Sequence, residues 1–119
     1  MRDSMEFRHN LDHTDPELVS LCYDVHWVYR GGVDPVALLN QYAVRCKMLH
    51  LRQSHKGIWT EFLGDGDVDY RQVAEVLHGA NFEGWLFVEL AIETKTQFTR
   101  PLKENARLSR EYVRAMFAA

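Results

Sequence analysis

Short apolar runs alternate along this chain with segments of amphipathic pattern. The apolar runs are Leu18–Tyr23, Cys46–Leu49 and Trp85–Val88. Continuous apolar runs of this length are typical of parallel strands that are buried on both faces. The pattern therefore predicts an α/β protein with three parallel strands joined by right-handed crossover connections.

Segments with helical spacing of apolar residues separate and flank these strands. They comprise residues 3–13, a segment from Asp34-Pro35, one from Asp69, and one from Pro101 that reaches almost to residue 119. Asp34 and Asp69 suit the N-cap because an aspartate oxygen accepts a free N–H there, and Pro35 fits the first helical position. No linker divides the chain, so residues 1–119 are predicted to form one domain.

Composition argues against several classes of function. The 119 residues carry a net charge of −3 and no basic run, so nucleic acid is not an expected partner. No apolar stretch approaches the roughly 20 residues that span a bilayer, and charged residues follow Met1 at once. We therefore expect no membrane partner and a cytoplasmic location.

Cys22 and Cys46 lie in predicted strands and are expected to be reduced, buried thiols.

Each apolar run is followed by a residue that can bind a metal: Asp24, His50 and Glu89. The carboxyl ends of parallel strands meet at one edge of a sheet, so these side chains are expected to lie together. Two carboxylates and an imidazole suit Mn²⁺, Mg²⁺, Co²⁺ or Zn²⁺. The alternative is structural: Asp24 capping a helix or turn, His50 hydrogen-bonded in the core, and Glu89 a surface charge.

Four segments in order carry a resemblance to a known family. They are Tyr23–Trp27 with Gly31-Gly32 and Asp34-Pro35, then Leu49–Arg52, then Gly64–Tyr70, then Gly84–Glu89. Together they resemble the xylose-isomerase-like TIM-barrel family, which includes sugar phosphate isomerases/epimerases, inosose dehydratases and endonuclease IV. The resemblance implies a partial TIM barrel: three βα units equivalent to the last three strands, preceded by a helix.

The resemblance also implies a metal site. Family members commonly bind a divalent ion through Glu, Asp, His and Glu, and the last three match Asp24, His50 and Glu89. The first glutamate belongs to a fifth strand that this sequence lacks. The chain is therefore expected to be the carboxyl-terminal part of a barrel, incomplete alone, in which metal binding need not be retained.

The implied activity is that of a sugar or sugar-phosphate isomerase/epimerase. A divalent metal would assist proton transfer next to a carbonyl, with Glu89 as a catalytic residue. Expected partners are a small sugar and either a complementing barrel half or a second copy. The alternative is a non-catalytic fragment or self-associating domain with a vestigial metal site. A nuclease is disfavoured, because neither additional histidines nor a basic DNA-binding face is visible.

Loop residues supply further candidates for contact with a substrate: His26, Trp27, Arg52 and Gln53. His26 is also a candidate for proton transfer, although a loop histidine that packs on Trp27 is an open alternative. Arg52 and Gln53 can equally be solvated loop residues. Trp27 and Trp59 can form a wall for a sugar face or be simply core, and Glu61 is expected to be a loop carboxylate near the site.

Overall fold

A computed structural model describes residues 5–118 of the chain. Its helices and strands, in order, are α1 Met5–Asp12, β1 Leu21–Asp24, α2 Val25–Arg30, α3 Pro35–Tyr42, β2 Cys46–Leu51, β3 Ser54–His55, β4 Ile58–Trp59, α4 Tyr70–Gly79, β5 Trp85–Val88 and α5 Leu102–Phe117. A short 3-10 helix, Ala43–Arg45, leads into β2. Residues 3 and 4 of the predicted first helix lie outside the described part.

Three strands form a parallel sheet in the order β1-β2-β5, and β3 pairs with β4 in a separate antiparallel hairpin. Asp24 of β1 lies opposite His50 of β2, and Leu51 of β2 lies opposite Val88 of β5. The strands therefore end at the same level. This arrangement confirms the predicted α/β class and is compatible with part of a TIM barrel, although the described strands do not close one.

The two helices with predicted aspartate caps begin where the sequence indicates. Asp34 Oδ1 accepts hydrogen bonds from the N–H groups of Val36 at 2.9 Å and Ala37 at 3.1 Å. Asp69 Oδ1 likewise accepts the N–H of Arg71 at 2.9 Å. Because these oxygens satisfy N–H groups that have no partner inside the helix, they fix where α3 and α4 start.

The core lies between the sheet and the helices α3 and α4. Tyr23, Leu49 and Leu51 from the sheet are completely buried, as are Leu39 of α3 and Val73 of α4. The Tyr23 hydroxyl donates to the carbonyl of Pro35 at 2.7 Å, which ties β1 to the start of α3.

Within the described residues, none of the helices has the length and the apolar character that a membrane span needs.

The first strand is shorter than predicted. The N–H groups of Leu18 and Val19 both donate to the carbonyl of Asp15, so this stretch is a turn, and β1 begins only at Leu21. The prediction that Cys22 is buried is wrong, whereas Cys46 is buried as expected. Side chains alternate along a strand, and Cys22 faces away from the core that Leu21 and Tyr23 enter.

The segment after β1 is a helix and not the predicted loop. Asp24 Oδ1 accepts the N–H of Trp27 at 3.0 Å and so caps α2. The helix ends before Gly31, and Gly32 follows with a positive φ of 80°, a conformation that glycine adopts without strain. The glycine pair therefore marks the end of α2.

The last strand and last helix are more exposed than predicted. Trp85 is 71% exposed, and Phe87 and Val88 are also exposed, and β5 is an edge strand of the described sheet. In α5, Leu102 is exposed, although it lies in a segment predicted from the helical spacing of its apolar residues. The fully buried positions of α5 are instead polar, Asn105 and Ser109.

Candidate functional site at the carboxyl ends of the strands

The three strand-end side chains lie together as their spacing predicts. One donor atom each from Asp24, His50 and Glu89 lies within 4.8 Å of the other two. The backbone explains the convergence: Asp24 is level with His50, and the N–H of Glu89 donates to the carbonyl of Leu51 at 2.9 Å. The cluster opens to solvent, with side-chain exposures of 22%, 34% and 45% respectively.

The donor set fits a divalent metal. Bonds of about 2.0–2.2 Å from nitrogen and carboxylate oxygen keep ligand atoms within about 4.4 Å of each other. Donors that already lie within 4.8 Å need to move by only a few tenths of an ångström. Two carboxylates and one imidazole are ligands that borderline and hard divalent ions accept.

The two carboxylate oxygens of Asp24 have different roles. Oδ1 caps α2, as the structural alternative for this residue predicts, while Oδ2 faces the cluster and accepts a hydrogen bond from Arg52 at 2.9 Å. On the other side, Glu89 Oε2 lies 2.8 Å from His50 Nδ1. Both carboxylates therefore present one oxygen each to the same space.

Arg52 lies at the centre of this space. Its Nη2 donates to Asp24 Oδ2 and also to Glu89 Oε2, and its side chain is only 7% exposed. The guanidinium carbon lies 5.4 Å from the ring centroids of both Trp27 and Trp59. The interpretation of Arg52 as a solvated loop residue is therefore wrong.

The main chain of Arg52 is held by a buried tyrosine. The Tyr70 hydroxyl accepts from the N–H of Arg52 at 3.1 Å and donates to its carbonyl at 2.6 Å. Tyr70 is completely buried at the start of α4. This pair of hydrogen bonds fixes the backbone at the point where β2 leaves the sheet.

Gln53 supports the loop that follows β2. Its Nε2 donates to the carbonyls of Gly64 and Val68, and its Oε1 accepts from the N–H groups of Ser54 and Val68. These four hydrogen bonds satisfy the whole amide. Gln53 is buried, so the interpretation of it as a solvated loop residue is wrong, whereas its contact with a substrate stays a prediction.

His26 is completely buried, and its contact with a substrate stays a prediction. Its Nε2 lies 2.9 Å from Ser54 Oγ, which donates to Asp67 Oδ2 at 2.6 Å. Because the Ser54 hydroxyl donates its own proton to Asp67, Ser54 Oγ accepts in its contact with His26. Nε2 of His26 is therefore protonated and is the donor to Ser54. Burial lowers the pKa of His26 to about 4, so the ring is neutral near physiological pH.

The aromatic residues of the site differ in exposure. Trp59 is buried, with its ring centroid 4.4 Å from that of His26, so His26 packs on Trp59 and not on Trp27. Trp27 is 53% exposed and meets Trp59 edge to face at 5.7 Å. Trp27 therefore offers the exposed part of the predicted aromatic wall, and Trp59 forms its base.

Glu61 holds two distant segments together. Its carboxylate accepts hydrogen bonds from Thr99 N and Oγ1, from Arg100 N and Nη1, and from Asn105 Nδ2. These bonds, led by the one from the Thr99 hydroxyl, lower the pKa of Glu61 to about 2. No spacing in the sequence links residue 61 to residues 99–105, so this anchor is missed, as are the contacts of Ser54 and Asp67.

The fold and cluster define the chain as an α/β protein whose site lies at the carboxyl ends of parallel strands. A family model described as xylose isomerase-like TIM barrel matches residues 2–116. The chain therefore belongs to the xylose isomerase-like TIM-barrel family, as its sequence resemblance predicts.

Two curated relatives illustrate the sequence similarity. The chain is 33% identical over 121 residues to an inosose dehydratase of Clostridium tetani (strain Massachusetts / E88), covering 87% of the chain and 40% of the relative. It is 32% identical over 123 residues to an inosose dehydratase of Geobacillus thermodenitrificans (strain NG80-2), with the same coverage of 87% and 40%. The chain thus spans about two fifths of the length of these relatives.

A solved structure shows the same relationship. A sugar phosphate isomerase/epimerase from Parabacteroides distasonis ATCC 8503 superimposes with a TM-score of 0.70 and 27% sequence identity. The match covers 88% of this chain and 34% of that structure. The chain therefore shares its fold with about a third of that structure.

The Glu61 anchor predicts a pH-dependent contribution to stability. With a pKa lowered from 4.5 to about 2, Glu61 stabilises the fold fully above its unfolded pKa, and this contribution is lost as pH falls through about 2. We expect Glu61→Gln to lower the melting temperature most at neutral pH. The difference from wild type should shrink between pH 4.5 and 2, as measured by thermal unfolding followed by circular dichroism.

Glu104→Gln is the matched control. Glu104 also has a lowered pKa, through hydrogen bonds from Arg107, but it is paired on the surface of α5, where such pairs contribute little. We expect a small change in melting temperature. A Glu61→Gln difference that stays constant with pH would contradict the proposed origin of the stabilisation.

Proposed function

We propose that this chain contributes to an active site that removes a proton next to the carbonyl of a sugar or sugar phosphate with the help of a divalent metal. The observation that carries the proposal is the convergence of Asp24, His50 and Glu89 at the carboxyl ends of three parallel strands. In α/β barrels, catalytic groups lie at this end of the strands. The family membership supports the same interpretation.

The proposed substrate class is consistent with the names of the relatives. One group is named for dehydration of inosose and a structural relative for isomerisation or epimerisation of sugar phosphates. Elimination of water beside a ketone and isomerisation of a sugar both begin by removing a proton from the carbon next to a carbonyl. A single kind of site serves both reactions.

Asp24, His50 and Glu89 are the proposed metal ligands. A bound Mn²⁺, Mg²⁺, Co²⁺ or Zn²⁺ would polarise the carbonyl and the neighbouring hydroxyl of the substrate. Glu89 is the proposed proton acceptor, because its side chain is the most exposed of the three and only its Oε2 faces Arg52 and His50.

The surrounding residues are proposed to orient the substrate. The exposed ring of Trp27 supplies an apolar surface for one face of a sugar. Arg52 supplies guanidinium N–H groups for substrate oxygens. His26 is proposed to act from behind these residues. Its ring packs against the ring of Trp59 and hydrogen-bonds to Ser54, and these contacts hold Trp59 in place.

Further strands are proposed to complete the pocket. Both outer strands, β1 and β5, are paired on one side only within the described residues, and β5 exposes Trp85 and Phe87. Such edges pair readily with other chains. A complementing barrel half or a second copy of the chain is the proposed partner, and the chain by itself is not expected to turn over substrate.

Metal binding is the first test. We expect the 119-residue protein to bind Mn²⁺, Co²⁺ or Zn²⁺ in isothermal titration calorimetry. The double variant Asp24→Asn with His50→Gln should abolish this binding, because one ligand loses its negative charge and the other its imidazole nitrogen. Asparagine can still cap α2, so the double variant should remain folded. Asp15→Asn with His13→Gln, two exposed residues outside the cluster, serves as the matched control. Binding to wild type that is no stronger than to the cluster variant would refute the metal site.

Proton transfer is the second test. Residues 2–116 of the chain can replace the matching part of the Clostridium tetani inosose dehydratase, giving a complete barrel that contains this site. We expect the chimaera with Mn²⁺ to exchange substrate hydrogen for solvent deuterium in D₂O, measured by NMR, and Glu89→Gln to abolish the exchange. A folded, metal-binding chimaera without exchange would argue against the proposed reaction.

The alternative function is a self-associating, non-catalytic domain, favoured by the exposed apolar residues of β5. It predicts that the chain forms a dimer or larger oligomer in size-exclusion chromatography with light scattering. Trp85→Lys should then shift the protein toward monomer, because a charge opposes pairing at that edge, whereas Val44→Lys, at an exposed position outside the sheet, should not. A wild-type monomer at all concentrations would exclude this alternative.

A further inference from the structure

We infer that Arg52 is a built-in cation that competes with the divalent metal for Asp24 and Glu89, so that metal binding requires its guanidinium to leave the space between them. This inference rests on the proposed metal site and adds a residue that regulates its occupancy. It follows from the position, the charge and the restraints of Arg52.

The position of Arg52 is that of a bridging ion. A single nitrogen, Nη2, donates both to Asp24 Oδ2 and to Glu89 Oε2. The same Glu89 oxygen is contacted by His50 Nδ1 at 2.8 Å. The guanidinium nitrogen therefore lies among the three side chains whose donor atoms define the candidate metal site.

The charges make the two cations mutually exclusive. Asp24 and Glu89 carry two negative charges, and the guanidinium neutralises one of them. A divalent ion placed beside a guanidinium that is only 7% exposed meets repulsion that solvent screens weakly. Conversely, without either cation the two like-charged carboxylates lie close together with only His50 beside Glu89, and their repulsion destabilises the fold.

The restraints on Arg52 let its head group move while its main chain stays fixed. Tyr70 holds the N–H and the carbonyl of Arg52. The Nε of Arg52 is buried with no hydrogen-bond partner among the described residues, so no bond anchors the middle of the side chain. In its present position the guanidinium carbon also lies 5.4 Å from the ring centroids of Trp27 and Trp59, a cation–π contact that adds no directional bond.

Arg52→Met tests the competition in the whole 119-residue protein. Removing the resident cation should tighten Mn²⁺ binding by about tenfold or more, measured by calorimetry, since the metal then meets two unpaired carboxylates. Treated with a chelator, the variant should melt at a lower temperature than wild type, and added Mn²⁺ should raise its melting temperature by more than it raises that of wild type.

Arg30→Met is the matched control. Arg30 also lies over Trp59, at 3.6 Å, but its ion-pair partner is Glu93 and not a cluster carboxylate. We expect its Mn²⁺ affinity to equal that of wild type. Arg52→Lys, which keeps the charge but not the planar fork, should bind Mn²⁺ more tightly than wild type and less tightly than Arg52→Met, and it provides the measurement if the methionine variant does not fold.

The outcomes separate this inference from the metal site itself. Equal or weaker Mn²⁺ binding by a folded Arg52→Met or Arg52→Lys variant, with binding by wild type intact, overturns the competition and leaves the metal site standing. No binding by wild type or by any variant overturns both. Binding by the Arg52 variants that exceeds binding by wild type and by Arg30→Met supports the inference.

Discussion

The site depends on the register with which β2 pairs to both of its neighbours. Hydrogen bonding places Asp24 opposite His50 and brings the N–H of Glu89 to the carbonyl of Leu51. A slip of one residue in either pair would turn the strand-end side chain to the opposite face of the sheet. The convergence of these three residues is therefore a property of the sheet and not of the loops.

Around this sheet, buried hydrogen bonds hold the loops that shape the site. Gln53 satisfies main-chain groups of the loop after β2, Tyr70 fixes the main chain of Arg52, and Glu61 binds the segment that precedes α5. Each of these three side chains is itself buried and hydrogen-bonded, which is the condition under which a buried polar side chain stabilises a loop.

The sequence pattern predicts most helices and strands, whereas contacts between residues far apart in sequence determine the arrangement of the site. Asp34 and Asp69 predict where their helices begin, because capping depends on residues that are neighbours in sequence. The position of Asp24 at the end of a strand follows from the order of the predicted elements. By contrast, the bridging role of Arg52 and the Glu61 anchor join residues far apart in sequence. The burial of His26 and the exposure of Cys22 likewise depend on which face meets the core, which a short apolar run does not reveal.

The double role of Asp24 links folding to chemistry. One oxygen caps α2 and the other accepts from Arg52, so the same carboxylate fixes the helix that carries His26 and Trp27 and presents a donor to the cluster. A neutral residue that caps equally well keeps the first role and loses the charge on which the second depends. The helix that carries Trp27, the Arg52 guanidinium and the candidate metal donors are therefore linked through one side chain.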